Sequence, residues 1–390
     1  IYIARIPEIG TAALGAVGLC FPIIVIITAF SNLFGTGGAP LFSIFRGKKD
    51  PDTARRIMNT SFTMLCVCAV ILMAVGFLFA RPILILFGAS ADAIVYAYPY
   101  MMLYLIGTLP SMIAVGMNPF INAQGYSSIG MLSVAIGAGT NLVLDPLFIF
   151  ALGLGVRGAA IATVIGQISA LLLYIIVYRR NSYAVHISFK HLVFDKAIIR
   201  QIYSVGIPST VMMLLPSILI SVLNSILTAF SDVYVAVLGV YFKLQTFIYM
   251  PANGIVQGMR PIIGYNYGAG ESSRVKSTIR YSLLTAAGLM LTGTILALAL
   301  PKQILALFDA DAALMSAGVT ALRIISLGFL VSSVGLIYSG VFEAIGNGRN
   351  SLIISLLRQF VITIPLSFIL TRFFGPTGVW ISFPVGELCA

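Results

Sequence analysis

Asn141, Asp145 and Thr163 are the residues of this chain whose types and spacing could do chemistry. Asp145 sits in an otherwise uncharged apolar segment that runs from about Ile129 to Leu152. Carrying an ionised Asp to the centre of a bilayer costs about 3 kcal/mol on insertion scales, so something must compensate. Asn141 and Asp145 stand four positions apart, which on a helix puts both side chains on one face. Pro146 has no N–H, so the carbonyl of Leu142 loses its helical donor. With the Thr163 hydroxyl, these groups make a set of hard oxygen ligands suited to a small cation or a bound proton. The expectation is a cation- or proton-binding site at Asn141, Asp145 and Thr163 that drives transport. The structural alternative is an Asp145 that only hydrogen-bonds between helices.

The elements that would position these groups are membrane spans. Of the 390 residues, 59% are hydrophobic and 9% charged, which excludes an ordinary soluble domain. Long apolar runs predict spans at roughly 11–42, 55–79, 95–117, 129–151 and 157–178, then 203–230, 233–264, 277–300, 315–341, 350–372 and from 377 to the end. The net charge of +11 does not point to nucleic acid, because the basic residues lie mostly between spans. One set of loops holds Arg46, Lys48, Lys49, Arg55 and Arg56, then Arg179, Arg180, Lys190, Lys196 and Arg200, then Arg274, Lys276 and Arg280. Loops on the opposite side hold one each, Arg81, Arg157, Lys302 and Arg372, so the richer side is expected to be cytoplasmic. Cys20, Cys66 and Cys68 lie in apolar runs, and His186 and His191 share a polar loop away from them, so no metal centre is expected beyond Na+ at Asp145.

The two halves of the chain repeat each other. Ile83-Leu84-Ile85-Leu86-Phe87-Gly88-Ala89 matches Ile304-Leu305-Ala306-Leu307-Phe308-Asp309-Ala310 at an offset of 221 residues. Gly18 and Gly239, Phe21 and Phe242, Pro40 and Pro261, and Gly125 and Gly346 keep the same offset; Gly155, Gly158 and Gly166 meet Gly375, Gly378 and Gly386 at 220. A parallel repeat of this length predicts an all-α polytopic protein of twelve transmembrane helices in two parallel six-helix bundles. The predicted division is an N-lobe at 1–178, a cytoplasmic linker at 179–200 and a C-lobe at 201–390. By the same register, most of the first helix is expected to precede residue 1 and the last to continue past residue 390. The repeat also supplies a control: Asn141, Asp145 and Thr163 correspond to Val361, Pro365 and Phe383, so the second half builds its bundle without these polar groups.

Other embedded groups are weighed the same way. Lys243 would snorkel, pair or line a cavity, and Arg358 would pair with a carboxylate such as Glu387 or Glu343, the latter expected near a cytoplasmic helix end. Tyr241, Phe247, Tyr249 and Tyr338 are candidates for a drug-binding cavity against the commoner reading as core or lipid-facing aromatics. Gly35, Gly37, Gly38 and Pro40, with Gly254, Gly258 and Pro261, fall at matched places in two long helices, where they would serve bending or close packing. Pro146 belongs with these bending candidates. No GxxxxGK[ST] loop is present to bind ATP, and no HExxH or GxSxG motif indicates an enzyme.

The run Pro251-Ala-Asn-Gly254-Ile-Val-Gln-Gly258-Met-Arg-Pro261-Ile-Ile-Gly264-Tyr-Asn-Tyr-Gly268-Ala-Gly270 resembles the multidrug and toxic compound extrusion family, as does Asn141-Leu-Val-Leu-Asp145-Pro146 with Gly158-Ala-Ala-Ile-Ala-Thr163. The likeness is greatest to its MepA-like bacterial subgroup and covers essentially the whole chain. It implies twelve helices in two lobes, alternating access, and antiport of cationic amphipathic compounds against inward Na+ or H+. It also implies an N-lobe cation site at Asn141, Asp145 and Thr163 with a further Asp on the first helix, which would precede residue 1. Where relatives use a C-lobe Glu and Asp, the matching positions here are Pro216 and Ser332, which disfavours a C-lobe carboxylate mechanism.

The expected protein is a secondary active multidrug exporter in a bacterial plasma (inner) membrane, not an enzyme. It would use no cofactor other than the coupling ion, bind no nucleic acid, meet drug-like cations and the lipid bilayer, and act as a monomer. Both Na+ and H+ stay open, since oxygen ligands suit Na+ and a carboxylate removed from water suits a proton. The alternatives are a flippase for a lipid-linked precursor and, in another class, an intramembrane enzyme or passive channel.

Overall fold

The computed structural model describes residues 2–7, 9–180, 195–308 and 311–389. The protein is an all-α polytopic membrane protein. Its helices are α1 (Gly10–Gly18), α2 (Phe21–Gly47), α3 (Pro51–Leu86), α4 (Ala91–Ile106), α5 (Thr108–Ala123), α6 (Ser127–Pro146) and α7 (Gly155–Arg180), then α8 (Lys196–Thr228), α9 (Asp232–Gly268), α10 (Ser272–Ala299), α11 (Pro301–Ala306), α12 (Ala312–Ser326), α13 (Phe329–Ala344), α14 (Gly348–Leu356), α15 (Ile364–Phe374) and α16 (Thr377–Cys389). Two π-helical stretches, Leu147–Ala151 and Leu357–Thr363, prolong α6 and join α14 to α15. Among the described residues, eight helices are long and apolar enough to cross a membrane, or ten if each of two bent pairs counts as one span. These ten fall on the first ten predicted spans, and α16 lies where the last was expected.

Helix starts follow from local chemistry. Asp50 caps α3 by accepting from the Thr53 N–H at 3.0 Å, with Pro51 in the first turn, where its missing N–H is no loss. The cap holds the Asp50 carboxyl below its usual range, chiefly through the hydrogen bond from Thr53. Ser90 caps α4 and Asp311 caps α12 in the same way, and these two residues are 221 positions apart. Asp195 accepts from the N–H groups of Ala197 and Ile198 at the start of α8 and takes an ion pair from Arg56 at 2.9 Å, which anchors that helix to α3.

The repeat is visible in the backbone. Lys49 and Gly270 both adopt positive φ (59° and 75°), as do Gly125 and Gly346 (94° and 81°) and Gly155 and Gly375 (53° and 57°). Phe79 breaks the regular dihedrals of α3 (φ −116°), and its partner Leu300 (φ −123°) separates α10 from α11. A hydropathy profile reads 95–117 and 315–341 as single spans, but each is a broken pair: α4 and α5 bend by 56° after Gly107, and α12 and α13 by 52° at the equivalent Gly328. Thus the two halves share these turns, the Ser90 and Asp311 caps and both bends, not only their apolar runs.

By backbone proximity, residues 1–45 and 50–206 form one compact unit, and 46–49 with 207–390 form the other. The core of the first is built around Phe34, Phe42, Met58, Leu65 and Phe120, and that of the second around Leu223, Tyr241, Phe329 and Trp380. Helix association in lipid depends on close packing, because moving an apolar side chain from lipid to protein gains little. The α6–α7 pair shows this at the position that matters for the site. A Cβ on Gly166 would lie 2.7 Å from the Gly137 carbonyl oxygen, so only glycine lets the two backbones meet there. That approach sets Asn141 and Asp145 of α6 against Thr163 of α7.

Candidate cation site

Asn141 is the centre of the polar group. Its Nδ2 donates to Asp145 Oδ1 at 3.3 Å and to Thr163 Oγ1 at 3.2 Å. The Thr163 hydroxyl spends its own proton on the Ala159 carbonyl at 2.9 Å, so its oxygen faces the group as an acceptor. The three side chains that the sequence singled out are therefore brought together, half-buried, on two packed helices. Pro146 closes α6 and is followed at once by the π-helical stretch, where the regular i to i+4 ladder is already interrupted.

One member was not singled out. Tyr100 of α4 lies within electrostatic reach of Thr163 and Asp145, and its ring stacks on that of Tyr104 with centroids 6.2 Å apart. The available sequence signal was that Tyr100 and Tyr104 share the four-residue spacing of Asn141 and Asp145, but in a chain this rich in aromatics it does not stand out. Within the group, Asp145 is the one carboxylate, which matches a monovalent cation or a proton.

The second unit fills the same place with rings. Phe383, the repeat partner of Thr163, packs its ring 5.3 Å from Tyr241 and 6.3 Å from Phe242, and Tyr241 stacks on Phe329 at 6.5 Å. Tyr241 is 2% exposed in this aromatic cluster, so it packs the core instead of lining an open face. Lys243, Phe247 and Tyr338 are exposed, Phe247 to 72%. Ser332, one of the two positions matched to a relative's carboxylate, is fully buried and hydrogen-bonded to the Tyr249 hydroxyl at 2.6 Å; the other, Pro216, sits inside α8.

Two ion pairs take up Arg358, Glu387 and Glu343. Arg358 Nη1 meets Glu387 at 3.3 Å, and Glu343 is instead the partner of Arg260. Glu343 is the penultimate residue of α13, and it is buried, with Ser351 donating to its other oxygen at 3.4 Å.

The glycines at matched places also divide. A Cβ on Gly38 would lie 2.3 Å from Ser61 Oγ and 2.6 Å from the Phe120 ring, so close packing accounts for it. Gly254 and Gly258 face open space, and packing does not account for them. Pro40 lies within α2 and Pro261 within α9. His186, His191 and Lys190 lie outside the described residues, as do most of the 179–200 linker and Asp309 and Ala310 of the repeat.

Comparison with known proteins gives one consistent answer. The MatE family model matches residues 1–147 and 208–369. The chain is 29% identical over 378 residues to a multidrug export protein, MepA, of Staphylococcus haemolyticus (strain JCSC1435), covering 97% of this chain and 83% of that protein. It is 28% identical to the MepA multidrug export protein of Staphylococcus aureus (strain MRSA252), with the same coverage. Among solved structures, MATE in the bent conformation superposes with a TM-score of 0.92 at 25% identity, covering all of this chain and 87% of that one. The outward-facing conformation of a multidrug resistance MATE family transporter superposes at 0.89, also with 25% identity and the same coverage.

Proposed function

The chain belongs to the MatE family, and from that premise we propose that it is a secondary active exporter of cationic amphipathic compounds, driven by Na+ or H+ through alternating access. It is a multi-pass protein of the bacterial plasma (inner) membrane. The multidrug export of its MepA relatives supports the substrate class, and the outward-facing and bent conformations among similar structures support a cycle with more than one state.

The observation that carries the ion-coupled reading is the Asn141–Asp145–Thr163 group, set against its replacement by Val361, Pro365 and Phe383 in an equivalent bundle. Since the bundle folds without these polar groups, they are there to bind something. In the arrangement seen, the Asn141 amide bridges the two acceptors through its N–H groups. Turning that amide would present Oδ1 beside the oxygens of Asp145 and Thr163 and make a three-oxygen cradle. A proton would need no such turn, only the Asp145 carboxylate.

In this cycle the coupling ion favours the state of the first unit in which Asp145 is neutralised, and the exported compound favours the other. Each ligand shifts the balance only by its difference in affinity for the two. The exposed Lys243, Phe247 and Tyr338 remain candidates for contact with the compound, and Gly254 and Gly258, with open space around them, for bending of α9. The protein acts as a monomer and carries no cofactor beyond the ion. Efflux of a fluorescent lipophilic cation from proteoliposomes, with Na+ and pH gradients imposed one at a time, tests the reading. One gradient is expected to drive export. Flux independent of any gradient would make the protein a channel, and no cation movement under either gradient would favour a lipid flippase.

A further inference from the structure

We infer that the ion pair between Arg260 and Glu343 is a positioning clamp for transport: it holds the end of α9, from Arg260 to Gly268, on α13 and α14, so that α9 bends upstream of it, at Gly254 and Gly258. The inference rests on the bending of α9 in the proposed cycle and deepens it.

The sequence of α9 separates two faces. Pro251, Gly254, Gly258 and Pro261 recur at intervals of three, four and three, which places them on one side of the helix. A Cβ on Gly254 or Gly258 would meet nothing within 4 Å. Neither proline has an N–H, so the carbonyls of Phe247 and Gln257 lose their helical donors, and the ladder lacks a bond on each side of Gly254. Val256, Met259 and Ile263 lie on the other side, buried in one cluster with Ile337 and Val341 of α13. The two helices meet closely here: a Cβ on Gly340 would lie 2.6 Å from both Met259 Cε and Val256 Cγ1.

The ion pair sits on the packed side. Arg260 Nη2 pairs with Glu343 Oε2, and the two side chains are 19% and 5% exposed. Ser351 of α14 donates to the other Glu343 oxygen at 3.4 Å, and its hydroxyl also meets that of Ser339 on α13. Arg260 Nη1 donates to Gln257 Oε1 at 3.5 Å, one turn back on α9. Three helices are thus joined through one carboxylate. Apolar contacts let packed helices slide by small steps, whereas separating a buried pair leaves a charge without its partner, so the pair fixes the register. A localised bend needs both parts, a stretch that yields and an end that does not.

The first unit again shows what the fold alone requires. Ala39 stands there for Arg260, and Asn122 for Glu343. Asn122 donates to Asn118 at 2.9 Å, and Asn118 donates to Gly130 of α6 at 3.1 Å and to Tyr174 of α7 at 2.7 Å, a neutral network in place of the ion pair. The matching stretch of α2 is packed. Phe30 and Leu33 replace Pro251 and Gly254, and a Cβ on Gly37, the partner of Gly258, would lie 2.6 Å from the Ile202 carbonyl oxygen. At these matched positions the ion pair and the unpacked glycines occur together, in the second unit and not in the first.

The test uses the full chain. Hydrogen exchange along α9, followed in lipid nanodiscs with and without tetraphenylphosphonium as a lipophilic cation, reads where the helix yields. Efflux of a fluorescent lipophilic cation from proteoliposomes gives the maximal rate per folded protein and the KM. In wild type, tetraphenylphosphonium is expected to change exchange in residues 251–258 and to leave 260–268 as they were. In Glu343→Gln the change is expected to spread into 260–268, and the maximal rate to fall about tenfold with KM unchanged. The double Arg260→Met, Glu343→Met variant removes the pair without leaving a lone charge; it should spread exchange in the same way, and serves if Glu343→Gln does not fold. If the variant keeps the wild-type exchange pattern, even with a lower thermal midpoint, the pair is a structural contact and the inference is overturned. A wild-type maximal rate in the variant overturns it too. If wild type shows no change of exchange anywhere in α9, the bending of α9 fails and the clamp with it.

Discussion

Phe383 stands in the second unit where Thr163 stands in the first, and its ring lies 5.3 Å from that of Tyr241. One architecture thus carries a hydroxyl in a polar group on one side and a phenyl ring in an aromatic core on the other. The difference separates what the bundle needs from what the site needs.

Thr163→Val keeps the shape of the side chain and removes the oxygen that Asn141 donates to at 3.2 Å. Losing one such partner is worth about 1–1.5 kcal/mol, or about tenfold in affinity. The half-saturating cation concentration for efflux is expected to rise by about that factor, while the thermal midpoint in detergent stays close to that of wild type. A drop in stability with unchanged cation dependence would make Thr163 structural.

Arg358 and Glu387 form a pair whose side chains are 25% and 16% exposed. Removing one member leaves the other charge without its partner, which for buried pairs costs about 3–5 kcal/mol; partial exposure places this case at the lower end. Arg358→Met and Glu387→Gln are each expected to lower the thermal midpoint, and the double Arg358→Met, Glu387→Met variant less than either. A double variant less stable than both singles would contradict this reading.

Gly38 and Gly254 should respond in opposite ways to the same change. Gly38→Ala drives a methyl group into Ser61 Oγ and the Phe120 ring, a misfit of about 1–3 kcal/mol. Gly254→Ala meets nothing and gains helix propensity, about 0.5–1 kcal/mol. Thermal melting of the two variants checks the signs. If Gly254→Ala is also slower in transport despite being more stable, α9 bends in the cycle.

Much of the fold was legible because lipid imposes length and composition on every span. The repeat register also reads the turns, since Gly125 and Gly346 are fixed by the positive φ that each must adopt. The bends at Gly107 and Gly328 were not legible: hydropathy is continuous across them, and a glycine in a membrane helix has several uses. Charge pairing was half legible. Glu387 and Glu343 were equal candidates for Arg358, and which one wins depends on the packing of α16 and α13, information that no local pattern contains. In the site, Asp145 stands out because a carboxylate in lipid demands an explanation, and Asn141 follows from its spacing. Tyr100 carries no such flag, because an aromatic ring in a span has ordinary structural uses.

The most direct test of the account is gradient-driven efflux of a fluorescent lipophilic cation from proteoliposomes containing wild type or Asp145→Asn. The substitution keeps the size of the side chain and removes the charge that Asn141 holds at 3.3 Å. The account predicts that wild type exports under a Na+ or a pH gradient and that Asp145→Asn, folded to the same extent, no longer responds to it. Undiminished gradient-driven export by Asp145→Asn would contradict it and leave Asp145 a bridge between helices.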